Sequence, residues 1–307
     1  MKIELCSKHV SVVSFGNANV DIIYYVKSIP GPDEQTEAFN VEIYPGGSAA
    51  NFAVALAVLG LKVYFVGRVG NDEYGEYLLK AYSKRGVIVD YVKVVKGVTG
   101  RVIVFVEIEE GKRAMVALRG VNHTLNPRDL DEVLERAKHV HLSSVKTQIS
   151  LEVFKQAKDR GLTTSYDPGG LVVKERNIGS VLSYVDVIFL NEKEANILEE
   201  RGVGPATLLN SSNIVVIKRG REGAIAYTDS KKFSCPGFKV KVVDTTGAGD
   251  VFDAGFIYSW IKGAPIPECI RVGNGLAALK ITKKGAQSLP CKEEILKFFE
   301  KLKIKIP

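Results

Sequence analysis

The 307 residues include only four cysteines, Cys6, Cys235, Cys269 and Cys291, and no C-x-x-C pair. That scatter excludes a disulfide framework and a thiolate metal site, so all four read as reduced, mostly buried thiols. Long hydrophobic runs are also missing. The most apolar stretch, Ala49 to Leu59, carries Asn51 and is too short to cross a bilayer, so no membrane partner is expected. The opening MKIELCSKHV has a glutamate where a secretion signal needs its apolar core, which makes a cytoplasmic protein the expectation. The net charge is +7, but its lysines and arginines are dispersed among acids, which argues against nucleic acid as a partner. No internal repeat, low-complexity tract or linker occurs. No G-x-x-x-x-G-K-[ST] occurs either, so a Walker-type nucleotide site is out.

Short β-branched runs alternate with amphipathic helical patterns along most of the chain. This predicts an α/β fold with a mostly parallel central sheet and helices on both faces. Strands are expected at Val10–Phe15, Val63–Val66, His139–Leu142, Thr163–Tyr166, Val187–Leu190 and Ile214–Ile217. Helices are expected at Ser48–Leu59, closed by Gly60, and at Tyr74–Arg85, closed by Gly86. Asn126-Pro127 opens another, to about Ala137, and the lysine-rich end docks a helix through Ile295, Leu296, Phe298 and Phe299. His139 and His141 share a strand face with no third ligand in view, which favours structural roles over a metal site.

Two segments break the alternation. Asp21–Val26 and Glu37–Ile43 are strand-like with no helix between them. Val102–Ile108 and Ala114–Leu118 form a hairpin around Glu109-Glu110-Gly111-Lys112. Such strands cannot join a parallel crossover scheme. They are expected to form a small β-sheet lid, over about residues 21–44 and 98–119, on a single α/β domain spanning 1–307.

The chemistry concentrates in Val240-Lys-Val-Val-Asp-Thr-Thr-Gly-Ala-Gly-Asp-Val-Phe-Asp-Ala-Gly-Phe. A short strand is expected to end at Asp244 and a helix to begin near Asp250. The nearly side-chain-free Gly247, Ala248 and Gly249 let backbone N–H groups approach an anion at the helix N-terminus. Such a nest stabilises the charge of a phosphoryl group in transfer, and Asp250 at its mouth can take a hydroxyl proton. Taken alone, G-x-G-D also reads as a helix cap after a tight turn. A dinucleotide fingerprint fails, because Phe252 stands where its third glycine belongs.

Asp244-Thr-Thr-Gly-Ala-Gly-Asp250-x-Phe-x-Ala-Gly resembles the C-terminal signature of the ribokinase-like (PfkB) carbohydrate kinase family. Pro45-Gly-Gly-Ser-Ala-Ala-Asn51 is similar to the N-terminal signature. Gly67-Arg-Val-Gly-Asn-Asp72-x-x-Gly75, Asn191-Glu-Lys-Glu194 and Lys283-Lys-Gly-Ala-Gln287 resemble three further family segments, in family order. The resemblance implies a ribokinase-like fold and an ATP- and magnesium-dependent transfer of the γ-phosphoryl group to a hydroxyl of a small sugar. It implies substrate contacts from Asn19, Asp21, Gly46, Gly47 and Asn51, and nucleotide contacts from Asn191, Lys218, Gly220 and Asn274. It further implies magnesium held through water by Asn191 and Glu194, and a monovalent cation (K+) at Asp244, Thr246, Gly285 and Ser288. A homodimer through the lid completes the expectation.

The chain departs from ribose-type relatives at two positions. Ser48 replaces a lysine after the Gly-Gly, and Ser143-Ser-Val-Lys146 replaces a segment carrying a glutamate. Arg101 or Lys146 pointing into the cleft would bind an anionic group, which keeps a phosphosugar acceptor open. Tyr24, Tyr25, Phe39 and Tyr44 keep a nucleoside acceptor open, by stacking on a base. A non-catalytic sugar sensor is disfavoured by the intact Asp250, Gly247, Gly249, Asn191 and Glu194.

Overall fold

The computed structural model describes residues 10–109, 111–175, 177–209, 212, 214–229 and 231–307. Eight strands form its central sheet. In spatial order they are Lys232–Cys235, Ala224–Thr228, Ile214–Lys218, Val187–Asn191, Thr163–Asp167, His139–Ser143, Ser11–Gly16 and Lys62–Val66. The final six run parallel, and the first two are an antiparallel edge. Uninterrupted apolar runs such as Val187–Leu190 suit strands covered on both faces. Alternate residues feed two cores. Val187, Phe189 and Val216 meet the helices Ser48–Val58, Ala248–Trp260 and Ile266–Lys280. Ile188, Leu190 and Val215 pack with Val153, Phe154 and Leu198 of the opposite layer.

The four helix-free strands form one separate sheet in the order Ala38–Gly46, Asn19–Val26, Gly100–Glu107 and Arg113–Leu118. Its middle pair is parallel and both outer pairs are antiparallel. The pairing sets Asp21 beside both Tyr44 and Val102. A short ladder, Arg68–Gly70 with Lys93–Val95, lies outside both sheets.

Several expectations need correction. The segment after Asn126 is two 3-10 turns, Pro127–Leu130 and Leu134–Arg136, rather than one helix to Ala137. Asn126 does cap the first turn, but its partner Asp129 is also anchored by Arg68 and Lys93 at 2.8 and 2.9 Å. Residues 240–243 are no strand. The sheet edge there is already closed by the Ala224–Thr228 and Lys232–Cys235 hairpin, and the segment's end is tied instead by the Val243 and Asp244 amides to the Ile281 carbonyl. That hairpin went unpredicted.

Of the thiols, Cys269 is buried, Cys235 partly so and Cys291 exposed; Cys6, like Glu110 of the lid turn, lies outside the described residues. His139 and His141 are buried and bonded to Thr163 and Ser165 hydroxyls, and His141 stacks on Phe52 at 3.7 Å. Burial pushes His139 down to about 3 and His141 well below its ordinary value, so both are neutral structural groups. On the terminal helix Lys292–Lys301, Ile295 and Phe299 are buried, while Leu296 faces solvent.

Candidate active site

The Ala248–Trp260 helix springs from Gly247, which is left-handed at a φ of 74°. A Cβ there would lie 2.9 Å from the Ala286 carbonyl oxygen, so conformation and space both require glycine. Asp250 occupies the first helical turn. Its Oδ2 accepts from Asn51 Nδ2 at 2.8 Å, while Asn51 Oδ1 accepts from Gln287 Nε2 at 3.0 Å. Asn51 is buried on the first turn of the Ser48–Val58 helix, so it aims the acid as a fixed strut. The carboxyl faces a cleft of about 420 Å³ whose walls include Ser48, Ser144, Glu194, Gly220 and Gly249. Burial pushes Asp250 up to about 6, against the hydrogen bonds from Asn51 and Ser48. At neutral pH such a group is ionised yet basic enough to accept a hydroxyl proton.

The expected anion nest is displaced by one residue. The Ala248 amide is spent on the Thr245 carbonyl at 3.1 Å. Within Gly247–Asp250, the amides of Gly247, Gly249 and Asp250 have no acceptor among the described residues.

Lys218 ends the Ile214–Lys218 strand between two acids. Its Nζ donates to Asp167 Oδ2 at 2.7 Å and to Asp253 Oδ2 at 2.9 Å. Burial opposes the charge on Lys218, but the two carboxylates outweigh it and raise its pKa. Burial likewise works against Asp167, which Lys218 holds below its ordinary value, and drives Asp253 well above. The ammonium expected to meet nucleotide phosphates is thus paired with two acids, and Lys218 lines both the Asp250 cleft and the adjoining pocket. Asp253 sits one helical turn beyond Asp250. Its sequence position is part of the quoted signature, but its partners are 35 and more residues away.

Asn191 and Glu194 form a reciprocal capping box, with both bonds at 2.9 Å, and both also line the Asp250 cleft. Burial, then the charge of Asp167, raises the Glu194 pKa. Gly220, left-handed at 54° with open space around it, borders this cleft and a second pocket of about 460 Å³. The second pocket is an apolar slot of Phe238, Val240, Val242, Phe252 and Ala277. Asn274 also lines it, with its amide donating to the Cys235 and Pro236 carbonyls at 3.1 Å. Asn274 thus fixes the slot's wall.

On the lid side, Asp21 lines a cavity of about 310 Å³ with Val102, Val104 and Tyr44. Burial, followed by repulsion from Asp250 and Asp244, pushes Asp21 up to about 7. Gly46 is required here because a Cβ would lie 2.4 Å from Asp21 Oδ2, and Gly47 is left-handed at 95°. Asn19 Oδ1 accepts from Asn122 Nδ2 at 2.9 Å, and Asn122 also pairs both ways with the Ala18 backbone at 3.0 Å. Asn122 escaped the sequence reading. Its only signal is a polar side chain buried just past the last lid strand.

Arg101 does not enter the cleft. Strand alternation puts it on the lid face opposite Asp21 and Val102, where it pairs with Asp72 at 3.0 Å and covers the Tyr74 ring. Lys146 lies in a neighbouring recess with Asn17, Arg119 and Ser144.

Asp244, Thr246 and Gly285 do converge, but they do not fit a monovalent cation. Asp244 Oδ1 accepts from the Thr246 amide and hydroxyl at 2.9 and 2.7 Å, and Oδ2 from the Gly285 amide at 2.9 Å. The fully buried Lys280 donates to the Asp244 carbonyl at 2.8 Å, and its Nζ lies 3.8 Å from the Asp244 carboxylate. Ser288 instead donates to the Lys283 carbonyl at 3.4 Å. The positive charge at this loop is supplied by the protein.

A carboxylate held beside a turn of free amides, on a mostly parallel sheet with a second small sheet, is the arrangement the fold presents. The model for the pfkB family of carbohydrate kinases matches residues 10–293, and the chain belongs to that family. It is 32% identical to the ATP-dependent ribose-1-phosphate kinase of Halopiger xanaduensis, over 94% of this chain and 98% of the relative. It is 31% identical to the ribokinase of Haemophilus influenzae, over 93% and 97%. The structure of Arabidopsis thaliana ribokinase complexed with ribose and ATP superposes with a TM-score of 0.86 at 28% identity, covering 96% of this chain and 99% of that one. The chain is thus a carbohydrate kinase, a phosphotransferase with an alcohol acceptor.

Proposed function

We propose that the chain transfers the γ-phosphoryl group of ATP to a hydroxyl of a pentose-sized sugar or sugar derivative, with Asp250 as the general base. The observation that carries this reading is the Asp250 carboxylate, held by Asn51 in an open cleft beside three unspent amides. Asp250 takes the hydroxyl proton as that oxygen bonds to the γ-phosphorus. The bond to the bridging oxygen breaks, ADP departs, and the amides of Gly247, Gly249 and Asp250 hold the charge spread over the transferring group. The slot lined by Phe238, Val240 and Val242 suits the apolar faces of the nucleotide base, with Gly220 letting the phosphates pass close.

Asn191 and Glu194 are hard-oxygen donors. Glu194 Oε2 is engaged by the Asn191 amide, which leaves Oε1 for the cleft, and its charge is crowded by Asp167. That donor set fits magnesium bound through water, which would supply neutralisation of the phosphate charge. Asn19, Asp21 and Gly46 meet the acceptor from the lid side, and closure of the lid sheet excludes water. The outer lid strands expose Phe39, Met115 and Val116 at 67, 67 and 61%, an apolar surface suited to pairing with a second copy.

The test is turnover with ATP across ribose, ribose 1-phosphate and inosine. Phosphorylation of a sugar or its phosphate is expected. Exclusive turnover of inosine would replace this reading with a nucleoside kinase, and no turnover of any acceptor would remove it.

A further inference from the structure

Lys280 is the only fully buried lysine or arginine among the described residues. It ends the Ile266–Lys280 helix with its Nζ on the Asp244 carbonyl, an oxygen that accepts from no other donor among the described residues. Burial lowers its pKa, while the charges of Asp244 and then Asp250 oppose the loss of its proton. An ammonium is costly to bury, and an apolar side chain of the same length would fill the space without that cost. The charge, rather than the bulk, needs a use.

Lys280 stands behind the junction of two loops. The first, residues 243–247, leads into the left-handed turn at Gly247 and the free amides around Asp250. The second, residues 281–287, ends at Gln287, which holds Asn51 against Asp250. The loops are stitched together at Asp244. The Ile281 carbonyl accepts from the Val243 and Asp244 amides at 2.7 and 3.1 Å, and Asp244 Oδ2 accepts from the Gly285 amide at 2.9 Å. Ala286 closes on Gly247 so tightly that no Cβ fits between them. Asp250 is thus held from two sides by loops that meet where the Lys280 Nζ lies, 2.8 Å from the Asp244 carbonyl and 3.8 Å from its carboxylate. The loop expected to hold an exchangeable potassium ion holds this fixed ammonium instead.

We infer that Lys280 is a positioning residue for phosphoryl transfer, whose chain-borne ammonium clamps the two loops at Asp244 and so sets the aim of Asp250 and of the amides beside it. This rests on the Asp250 reading above and adds how its geometry is kept. Because the cation cannot dissociate, the site is assembled without a bound ion. Removing the ammonium leaves a vacant carbonyl and an unbalanced carboxylate facing the same space, a pair of oxygens that a small free cation can satisfy.

The test is chemical rescue in the whole protein. In choline chloride, kcat of Lys280→Ala is expected to fall roughly 10- to 100-fold, while KM for the acceptor moves by less than about threefold. Methylammonium or potassium chloride at equal ionic strength should restore part of that kcat. The same salts should raise the Tm of Lys280→Ala by about 2–4 °C over choline chloride and leave the unaltered protein's Tm where it was. Lys280→Met, which keeps the bulk and drops the charge, should show the same fall in choline chloride with a folded circular dichroism spectrum, and it decides the matter if the alanine variant does not fold. Wild-type kcat in the methionine variant overturns the inference, as does a loss in the alanine variant that neither cation relieves. The Tm arm needs no turnover, so a failure of the Asp250 reading, seen as unchanged kcat in Asp250→Asn, is told apart from a failure of this one.

Discussion

The floor of the cleft and its lid are built on opposite electrostatic terms. In the floor, Lys218 bridges Asp167 and Asp253, Asn51 braces Asp250, and Lys280 backs Asp244. On the lid side, Asp21 is pushed up to about 7 with no hydrogen bond to its carboxylate among the described residues, while Arg119 and Lys146 face an acid-free recess. A charge paired inside the protein positions something. A charge left unpaired at a cavity wall holds a cost that a ligand can relieve. The proposed function builds on this difference: the floor holds the reacting geometry and the lid side meets the acceptor.

The largest effects should come from breaking the floor. Asp250→Asn keeps the shape and removes the base, so kcat should fall by about 10²–10⁴ with the folded spectrum unchanged. Near-normal turnover would end the proposed role. Lys218→Met strands two buried acids, and urea unfolding should show a loss of about 3–5 kcal/mol.

The lid acid should respond in the opposite sense. Its pKa in the fold, about 7, lies above the ordinary 3.8, so ionising it costs native stability as pH rises between those values. Asp21→Asn removes that cost and should raise Tm at pH 7 by roughly 2–4 °C, while lowering kcat/KM by about tenfold or more through lost hydroxyl contacts. A drop in Tm would show that Asp21 is a structural acid after all. The smallest expected effect concerns the built-in ammonium. Exchanging potassium chloride for choline chloride should change the wild-type rate by less than about twofold, and Lys280→Met should make the rate depend on potassium. Strong potassium activation of the unaltered protein would contradict the assignment of that charge to Lys280.

What was legible in the sequence follows the same division. Strand and helix positions could be read because apolar periodicity is local, as at Val187–Asn191 and Ser48–Val58. The turn at Gly247 and the helix start carrying Asp250 could be read because that geometry is built within four consecutive residues. The segment 240–243 looked like a strand from its valines, yet whether it finds a ladder partner depends on a hairpin that closes the edge first. Partners that only the fold brings together were illegible: Asp167 with Lys218 across 51 residues, Asn122 with Asn19 across 103, and Gln287 with Asn51 across 236. Arg101 was misdirected by a single-residue parity. The register pairing Asp21 with Val102 turns its side chain to the far face of the lid, and that register depends on long-range pairing.

The central claim is that Asp250 accepts the acceptor's proton, and the pH dependence of kcat/KM with saturating ATP tests it most directly. Burial has moved this carboxyl up to about 6, so log kcat/KM should fall with unit slope below that pH and level off above it. The limb should be absent from the residual activity of Asp250→Asn. A profile flat from pH 5 to 8, or the same limb in the asparagine variant, would contradict the account.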